Sequence, residues 1–296
     1  MIEQVESDIQ NLIDQIGYSD VTRLFDSLSG GKRLRAKLVL KIAASSSKSL
    51  RLAAIIELIH AASLLHDDVI DDAALRRGVP SVNATEDSKT AVMLGDVLYS
   101  KAFSELVHFS SSIASCIADS VTALSVGEMM DVTMAKTFNS DADAYMKMLY
   151  LKTATLIEAS AKSAAMLAGK DAESYGIYGK NLGLSFQIID DILDIVSDEA
   201  TLGKPAMNDF AEGKCTLPYI YLYESLSSSD KERLQAYHGT VLTSRQNEWI
   251  RSKMEEYGSI DKAYCLARSL SDEAIKSIDG DAELIAIIEA MMKRSY

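Results

Sequence analysis

The stretch Leu64-Leu65-His66-Asp67-Asp68-Val69-Ile70-Asp71-Asp72 sets an apolar run directly against four carboxylates. A second stretch, Ile188-Ile189-Asp190-Asp191-Ile192-Leu193-Asp194, repeats the pattern much later in the chain. On a helix, residues four apart stack on one face and the next residue is offset by one step. Each DDxxD therefore presents a carboxylate claw: Asp67 and Asp71 in line with Asp68 beside them, and Asp190 and Asp194 in line with Asp191 beside them. Carboxylates held together repel and lose hydration unless a cation sits among them. Hard oxygen ligands with room for water and phosphate oxygens suit Mg²⁺. A single claw reads more readily as a solvated acidic helix end. Two claws, each behind an apolar helix and accompanied by basic motifs, read as a metal-dependent site.

The chain of 296 residues is long enough for a large core. It holds only three prolines (Pro80, Pro205 and Pro218), which leaves long uninterrupted segments rich in helix formers and predicts an all-α chain. A net charge of −13 without a basic stripe argues against nucleic acid and against adhesion to anionic lipid. Anionic substrates remain open, because metal ions and a few local Lys and Arg residues reverse the field at a site. Cys116, Cys215 and Cys265 are few and far apart, so neither a disulfide framework nor a zinc motif is expected, and a reducing, cytoplasmic setting is. The acidic start lacks a signal-peptide core, and no charge-free apolar run long enough to cross a membrane is found.

The apolar spacing predicts helices over 1–16, 20–28, 50–72, 90–109, 112–136, 141–168 and 173–196, then four or five shorter ones over 215–296. Gly30-Gly31-Lys32-Arg33-Leu34-Arg35 lets the backbone turn tightly just before a helix. Backbone N–H groups there, with Lys32 and Arg35, form a candidate diphosphate grip, although a solvated basic turn has the same composition. His60 lies two turns before Asp67 on nearly the same face, as a ligand or as a core histidine; His66 points elsewhere and reads as structural. Arg76 and Arg77 follow the first claw, either to neutralise it or to grip phosphates that metals hold there. Lys152 lies in an Ala-rich apolar stretch, snorkelling to water or facing a polar pocket. Gly176, Gly179 and Gly183 share a stripe with Gln187 and the second claw, for a pocket wall or for close helix contact. The Gly- and Pro-broken loop over 201–214 carries Lys204 and Lys214, placed to fold over that claw.

In this order the motifs resemble the trans-isoprenyl diphosphate synthases, or polyprenyl synthetases, and most of all the bacterial long-chain, octaprenyl-type members. The match runs through GGKRLR (30–35), His60, LLHDDVIDDAALRRGVPSVN (64–83), MLGDVLYSKAF (93–103), GEMMDV (127–132), KT (152–153), FQIIDDILD (186–194) and GKP…DFAEGK (203–214). It covers residues 28–220, with 221–296 as auxiliary helices of a single domain spanning 1–296. One departure is Ala36, where the family usually has proline after GGKRxR.

The resemblance implies an all-α isoprenoid synthase fold, with long helices around a deep central cavity and the two claws at its mouth. It implies a homodimer and joining of an allylic diphosphate primer to isopentenyl diphosphate. By resemblance, Asp67, Asp68, Asp71, Asp190, Asp191 and Asp194 hold about three Mg²⁺ ions on the allylic diphosphate, consistent with charge neutralisation of a leaving group. Arg76, Lys152 and Lys204 match further grips on it. Lys32, Arg35, His60 and Arg77 match a metal-free isopentenyl diphosphate site. Thr153 and Gln187 match positions whose oxygen dipoles stabilise the allylic carbocation, and the family's base is the released diphosphate. Asp72, Glu128, Asp131 and Lys214 are secondary candidates.

Product length in this family follows the residues just before the first claw. Ala62 and Ser63 are small where short-chain enzymes often carry an aromatic. A helix of about 24 residues spans roughly 36 Å, room for a product of about C30–C40. The inward stripe of the helix over 112–136 is expected to include Leu124, Ser120 and either Ile117 or Cys116, with Leu38 and Ile59 as candidate floor residues. Such a product suits a quinone side chain and would pass on to a membrane. The rivals are a short-chain farnesyl or geranylgeranyl synthase, and more remotely a terpene cyclase or a non-catalytic synthase subunit. A cyclase needs no GGKRLR, His60 and Arg77, and such a subunit typically loses aspartates that are intact here.

Overall fold

The computed structural model describes residues 1–28, 31–197, 207–278 and 280–293. Gly30 and Lys204, both expected in phosphate grips, lie outside the described residues. The chain divides into two compact units, 1–121 with 159–176 and 122–158 with 177–296. Among the described residues the fold is all-α, as expected, apart from one two-residue hairpin.

The first unit contains α1 (Ile2–Asp14), α2 (Ser19–Ser27), α3 (Leu34–Ala43), α4 (Ser47–Ile70), α5 (Val82–Thr85), α6 (Ser88–Leu106) and the start of α7 (Ser111–Met134). α4 is its axis, packed by α1, α3 and α6. Leu52 through Ile59 are all buried, so this helix is covered on every side. It begins at Ser47 rather than Leu50 because Ser46 and Ser49 form a reciprocal capping box. It ends at Ile70, short of the expected Asp72. Asp71 is the C-cap (φ −87°, ψ 3°) and Asp72 turns left-handed (φ 49°). Carboxylates at the negative end of a helix dipole oppose its continuation. Asp71 N–H still donates to Asp67 O at 2.9 Å, so those two residues keep their one-turn relation.

The segment after the first claw is a hairpin, β1 (Leu75–Arg76) against β2 (Val79–Pro80). Arg77 (φ 54°) and Gly78 (φ 79°) turn it, both left-handed as a type I′ turn requires. Ser81 Oγ and Asn83 Nδ2 donate to Ala73 O at 2.6 and 3.2 Å, which ties the hairpin base to the end of α4.

The second unit contains the rest of α7, α8 (Ala142–Leu149), a π-helical turn (Tyr150–Ala154), the start of α9 (Thr155–Ala168) and most of α10 (Ala172–Val196). It continues with α11 (Asn208–Ala211), α12 (Leu217–Ser225), α13 (Ser228–Tyr237), α14 (Ser244–Tyr257), α15 (Ser259–Ser277) and α16 (Ala282–Met292). These late helices share its core: Tyr178 of α10 donates to Leu284 O at 2.9 Å, and Ser185 to Ala267 O at 3.0 Å. Phe210 stacks on Tyr219 with centroids 4.2 Å apart.

A single helix over 141–168 was expected; the π turn interrupts it. Two glycines clamp that turn. A Cβ on Gly127 would sit 2.3 Å from Lys152 N, and one on Gly183 would sit 2.7 Å from Ala154 Cα. At Gly183, therefore, close helix contact is the reading that holds. The widened turn is a tertiary feature, imposed by α7 and α10 on a sequence with ordinary helical spacing.

α4 and α7 are long and apolar enough to cross a membrane by length and composition alone. In α4, 61 % of the apolar window is buried within the fold, as in a core helix; in α7 only 33 % is.

Candidate active site

In the first unit, basic side chains gather around His60. Arg33 is the N-cap of α3 in the left-handed region (φ 50°), an uncommon conformation for a bulky residue. Both carboxylate oxygens of Glu6 grip its guanidinium, at 2.7 and 2.9 Å, and Arg33 Nη1 reaches Glu57 Oε2 at 3.3 Å. Glu57 Oε1 accepts the Ala36 N–H at 3.0 Å, one of the donors that a helix start leaves unmatched. The family's usual proline has no such N–H, so the Ala36 departure adds a bond here. Glu57 is 3 % exposed. Losing one partner of such a buried charge pair costs about 3 kcal/mol or more.

Arg35 follows in the first turn of α3. Burial pushes its guanidinium down to about 10, with Glu57 opposing and Arg77 adding to the effect, so it remains charged at neutral pH. Its Nε is buried with no hydrogen-bond partner among the described residues. Arg77 lies against Gly31, where a Cβ would come 2.9 Å from Nη1. Burial and four arginines, Arg35 and Arg77 foremost, hold His60 well below its ordinary pKa and therefore neutral. Lys32 is exposed beside this cluster in sequence. A group of cations with an unmatched buried donor is what an anion fits.

The first claw is not three equivalent ligands. Asp68 is buried, and its Oδ1 accepts Arg76 Nε at 2.7 Å and also Arg76 Nη2. Burial pushes Asp68 up and Arg76 opposes it. Asp67 is partly exposed and Asp71 exposed. Burial, with Asp67 and Asp96 nearby, pushes the Tyr99 phenol up to about 12, so it stays a neutral donor. His66 packs on Gly95 and Tyr99 and approaches Val92 O at 3.1 Å, a structural placement as expected. Asp72 is exposed beyond the helix end.

In the second unit, Lys152 projects from the π turn and its Nζ meets Glu128 Oε2 at 2.9 Å and Asp131 Oδ2 at 2.6 Å. Of its two readings, the polar pocket holds, and Glu128 and Asp131 supply it. Thr153 Oγ1 donates to Gln187 Oε1 at 3.2 Å. Gln187 Nε2 donates to Asp191 Oδ1 at 3.1 Å, and the Tyr145 hydroxyl donates to Asp191 Oδ2. Burial, with Asp209 and Asp190 nearby, pushes Asp191 well above the usual carboxylate range. Asp194 is buried and accepts the Asp209 N–H on Oδ2 at 3.2 Å; Asp190 is partly exposed. Lys214 pairs with Glu212 at 3.0 Å.

Among the described residues, no three His, Cys, Asp or Glu side chains are already gathered as a nest for a cation. The donor chemistry nonetheless fits Mg²⁺: oxygen ligands only, with surface left on Asp67, Asp71 and Asp190. Ala62 is fully packed, whereas Ser63 keeps some surface and donates to His60 O at 2.9 Å. Leu38, Ile59 and Ile117 are also fully packed, and Cys116 and Leu124 are partly exposed. An open groove of about 800 Å³ on the first unit, lined by Asp8, Arg51 and His108 among others, contains none of the expected site residues.

Residues 20–253 match the family model described as polyprenyl synthetase. The chain belongs to the polyprenyl synthetase family. An octaprenyl pyrophosphate synthase structure from Helicobacter pylori is similar at 41 % identity and TM-score 0.94, over 100 % of this chain and 98 % of that one. Octaprenyl diphosphate synthase of Escherichia coli is 34 % identical over 86 % of this chain and 75 % of its own length. A short chain isoprenyl diphosphate synthase of Methanothermobacter thermautotrophicus is 33 % identical over 99 % of this chain and 96 % of its own. The polyprenyl synthetase described here is a prenyltransferase of isoprenoid biosynthesis. Its family uses isopentenyl diphosphate and an allylic diphosphate as substrates, generally with Mg²⁺.

The motifs did not mark Glu6, Glu57 or Tyr145. Glu57 had a signal, as the one charged residue within the apolar run 52–59. Tyr145 had none. The clamp at Lys152 generates a test: Gly127→Ala is expected to displace the π turn and lower turnover at least about tenfold, a loss typical of misplaced catalytic groups. Steady-state kinetics on the folded variant check this, and wild-type turnover would show that the turn adapts.

Proposed function

We propose that this enzyme adds isopentenyl diphosphate to an allylic diphosphate in successive trans 1′–4 condensations, in the cytoplasm, giving a product of about C30–C40. The single observation that carries the site assignment is the segregation of charge: guanidinium groups with an unmatched buried donor around His60, and carboxylates at each DDxxD. Arg35, Arg77, His60 and Lys32 take isopentenyl diphosphate. Arg76, Lys152 and Lys204 take the allylic diphosphate. Asp67, Asp71 and Asp190, whose carboxylates keep surface, are the direct metal ligands, and Asp68, Asp191 and Asp194 orient the claws. Held there, about three Mg²⁺ ions would supply Lewis-acid neutralisation of a departing diphosphate.

The C1–O bond of the allylic substrate breaks and its electron pair leaves with diphosphate. Thr153 and Gln187 face the carbocation with oxygen dipoles. The isopentenyl double bond attacks C1, and the released diphosphate accepts the proton lost from the adduct. Glu128 and Asp131 fix the Lys152 ammonium, which supports its role as a held charge for a diphosphate.

The long-chain reading rests on the small Ser63 and on the octaprenyl-synthase relatives. The short-chain relative, which matches almost the whole chain, supports the second reading, a short-chain synthase. Incubation with isopentenyl and farnesyl diphosphates and Mg²⁺, followed by sizing of the dephosphorylated products, separates the two. Products of about C30–C40 are expected; arrest at C15 or C20 would establish the short-chain reading. Ser63→Phe is expected to shorten the product, and unchanged length would remove Ser63 as the gate.

A second copy of the chain is proposed to cover α7. Val126, Met129 and Val132 are 45 %, 71 % and 40 % exposed at helical spacing on one apolar stripe. Sedimentation is expected to give a dimer that Met129→Lys dissociates; a monomeric wild type that co-floats with lipid vesicles would put a membrane on this face instead.

A further inference from the structure

The service of Thr153 and Gln187 depends on which way their polar atoms point, and a residue outside every motif decides it. Tyr145 lies on α8, 4 % exposed. Its hydroxyl donates to Asp191 Oδ2, and Asp191 Oδ1 accepts Gln187 Nε2 at 3.1 Å. Asp191 is itself 3 % exposed, so these two donors satisfy one oxygen each in a place that water does not reach. Gln187 presents its NH₂ end to Asp191 Oδ1, which leaves its carbonyl end for Thr153. Thr153 Oγ1 accordingly donates to Gln187 Oε1 at 3.2 Å. With its one hydrogen committed, Thr153 offers only lone pairs in its other directions. The chain of bonds is directional from end to end: phenol to carboxylate, amide N–H to carboxylate, hydroxyl to amide carbonyl.

We propose that Tyr145 is a positioning residue for prenyl transfer, which acts through Asp191 and Gln187 to aim the Thr153 lone pairs at the carbocation. This rests on the carbocation role given above to Thr153 and Gln187. Without the phenol hydrogen, Asp191 Oδ2 loses the donor that meets it. The carboxylate then gains freedom to turn, the Gln187 amide to flip, and the Thr153 hydrogen to rotate toward the reacting carbon, where its positive end opposes the developing charge. In this proposal Tyr145 acts through its bond to Asp191 and not on substrate or metal.

The test is Tyr145→Phe, which keeps the ring and removes only the hydroxyl, with the rate of a single condensation read in single turnover. One hydrogen bond lost in the transition state lowers that rate about tenfold, with both substrate KM values and the Mg²⁺ half-saturation within about twofold. In a Thr153→Ala background, Tyr145→Phe is expected to change the rate less than about twofold, because the residues act as one unit. An unchanged rate for Tyr145→Phe overturns the proposal. So does a raised Mg²⁺ half-saturation, which would place Tyr145 in service of the metal claw, and so does the full loss persisting on Thr153→Ala. Thr153→Ala alone tests the underlying assignment. If it leaves the single-turnover rate intact, the carbocation role of Thr153 fails and takes the Tyr145 proposal with it; if it lowers the rate and Tyr145→Phe does not, only the proposal falls. Should Tyr145→Phe not fold, Asp191→Asn keeps Tyr145 and Gln187 but offers Gln187 an NH₂, and the same loss of rate is expected.

Discussion

Mutual repulsion of buried or crowded like charges is the constraint on which this molecule is built. A chain of net charge −13 has to receive two polyanionic substrates. The same problem recurs at smaller scale: four carboxylates at the end of α4, a buried aspartate pair in α10, four arginines around one histidine. Each cluster persists because specific partners offset part of its charge. Arg76 takes Asp68, Glu6 and Glu57 take Arg33, Glu128 and Asp131 take Lys152, and Tyr145 and Gln187 take Asp191. The charge left over at each cluster points to ligands of opposite sign: anions for the guanidinium groups, cations for the carboxylates.

Local backbone irregularity accompanies three of these groups. Arg33 and Arg77 are left-handed, Asp72 turns left-handed just past the first claw, and Lys152 and Thr153 lie in a π turn. Such conformations persist only where surrounding contacts over-determine them. Glu6 and Glu57 do so for Arg33, and Gly127 and Gly183 for the π turn. Three of these positions, Arg77, Lys152 and Thr153, are ones for which a substrate role is proposed, and strain is commonly kept at such sites in enzymes.

Much of the fold was legible because the apolar periodicity is long and proline is nearly absent; α1, α4, α7 and α10 lie within a few residues of their predicted spans. The end of α4 was misplaced because periodicity ignores the helix dipole, which acts on the adjacent carboxylates. The break in 141–168 was invisible because it comes from Gly127, distant in sequence, and leaves no local mark on the residues Tyr150–Ala154. Both claws were plain from spacing, but spacing could not distinguish Asp67 and Asp71, which keep surface, from Asp68, which is engaged by Arg76. Glu57 stood out in its apolar run and went unused because a buried charge has no predictable partner until the helices are packed. Ala36 was noticed only as a missing proline; its N–H bond to Glu57 required the packing of α3 on α4.

The central claim is that the two diphosphates are held by different chemistry, one by guanidinium groups and one through metal on aspartates. Calorimetric titration tests it directly, with isopentenyl diphosphate and, separately, an allylic thiolodiphosphate too inert to ionise, each in excess EDTA and then in Mg²⁺. The account predicts that isopentenyl diphosphate binds in both conditions and the allylic analogue only with Mg²⁺. Loss of isopentenyl diphosphate binding in EDTA, or allylic binding that ignores the metal, would contradict it.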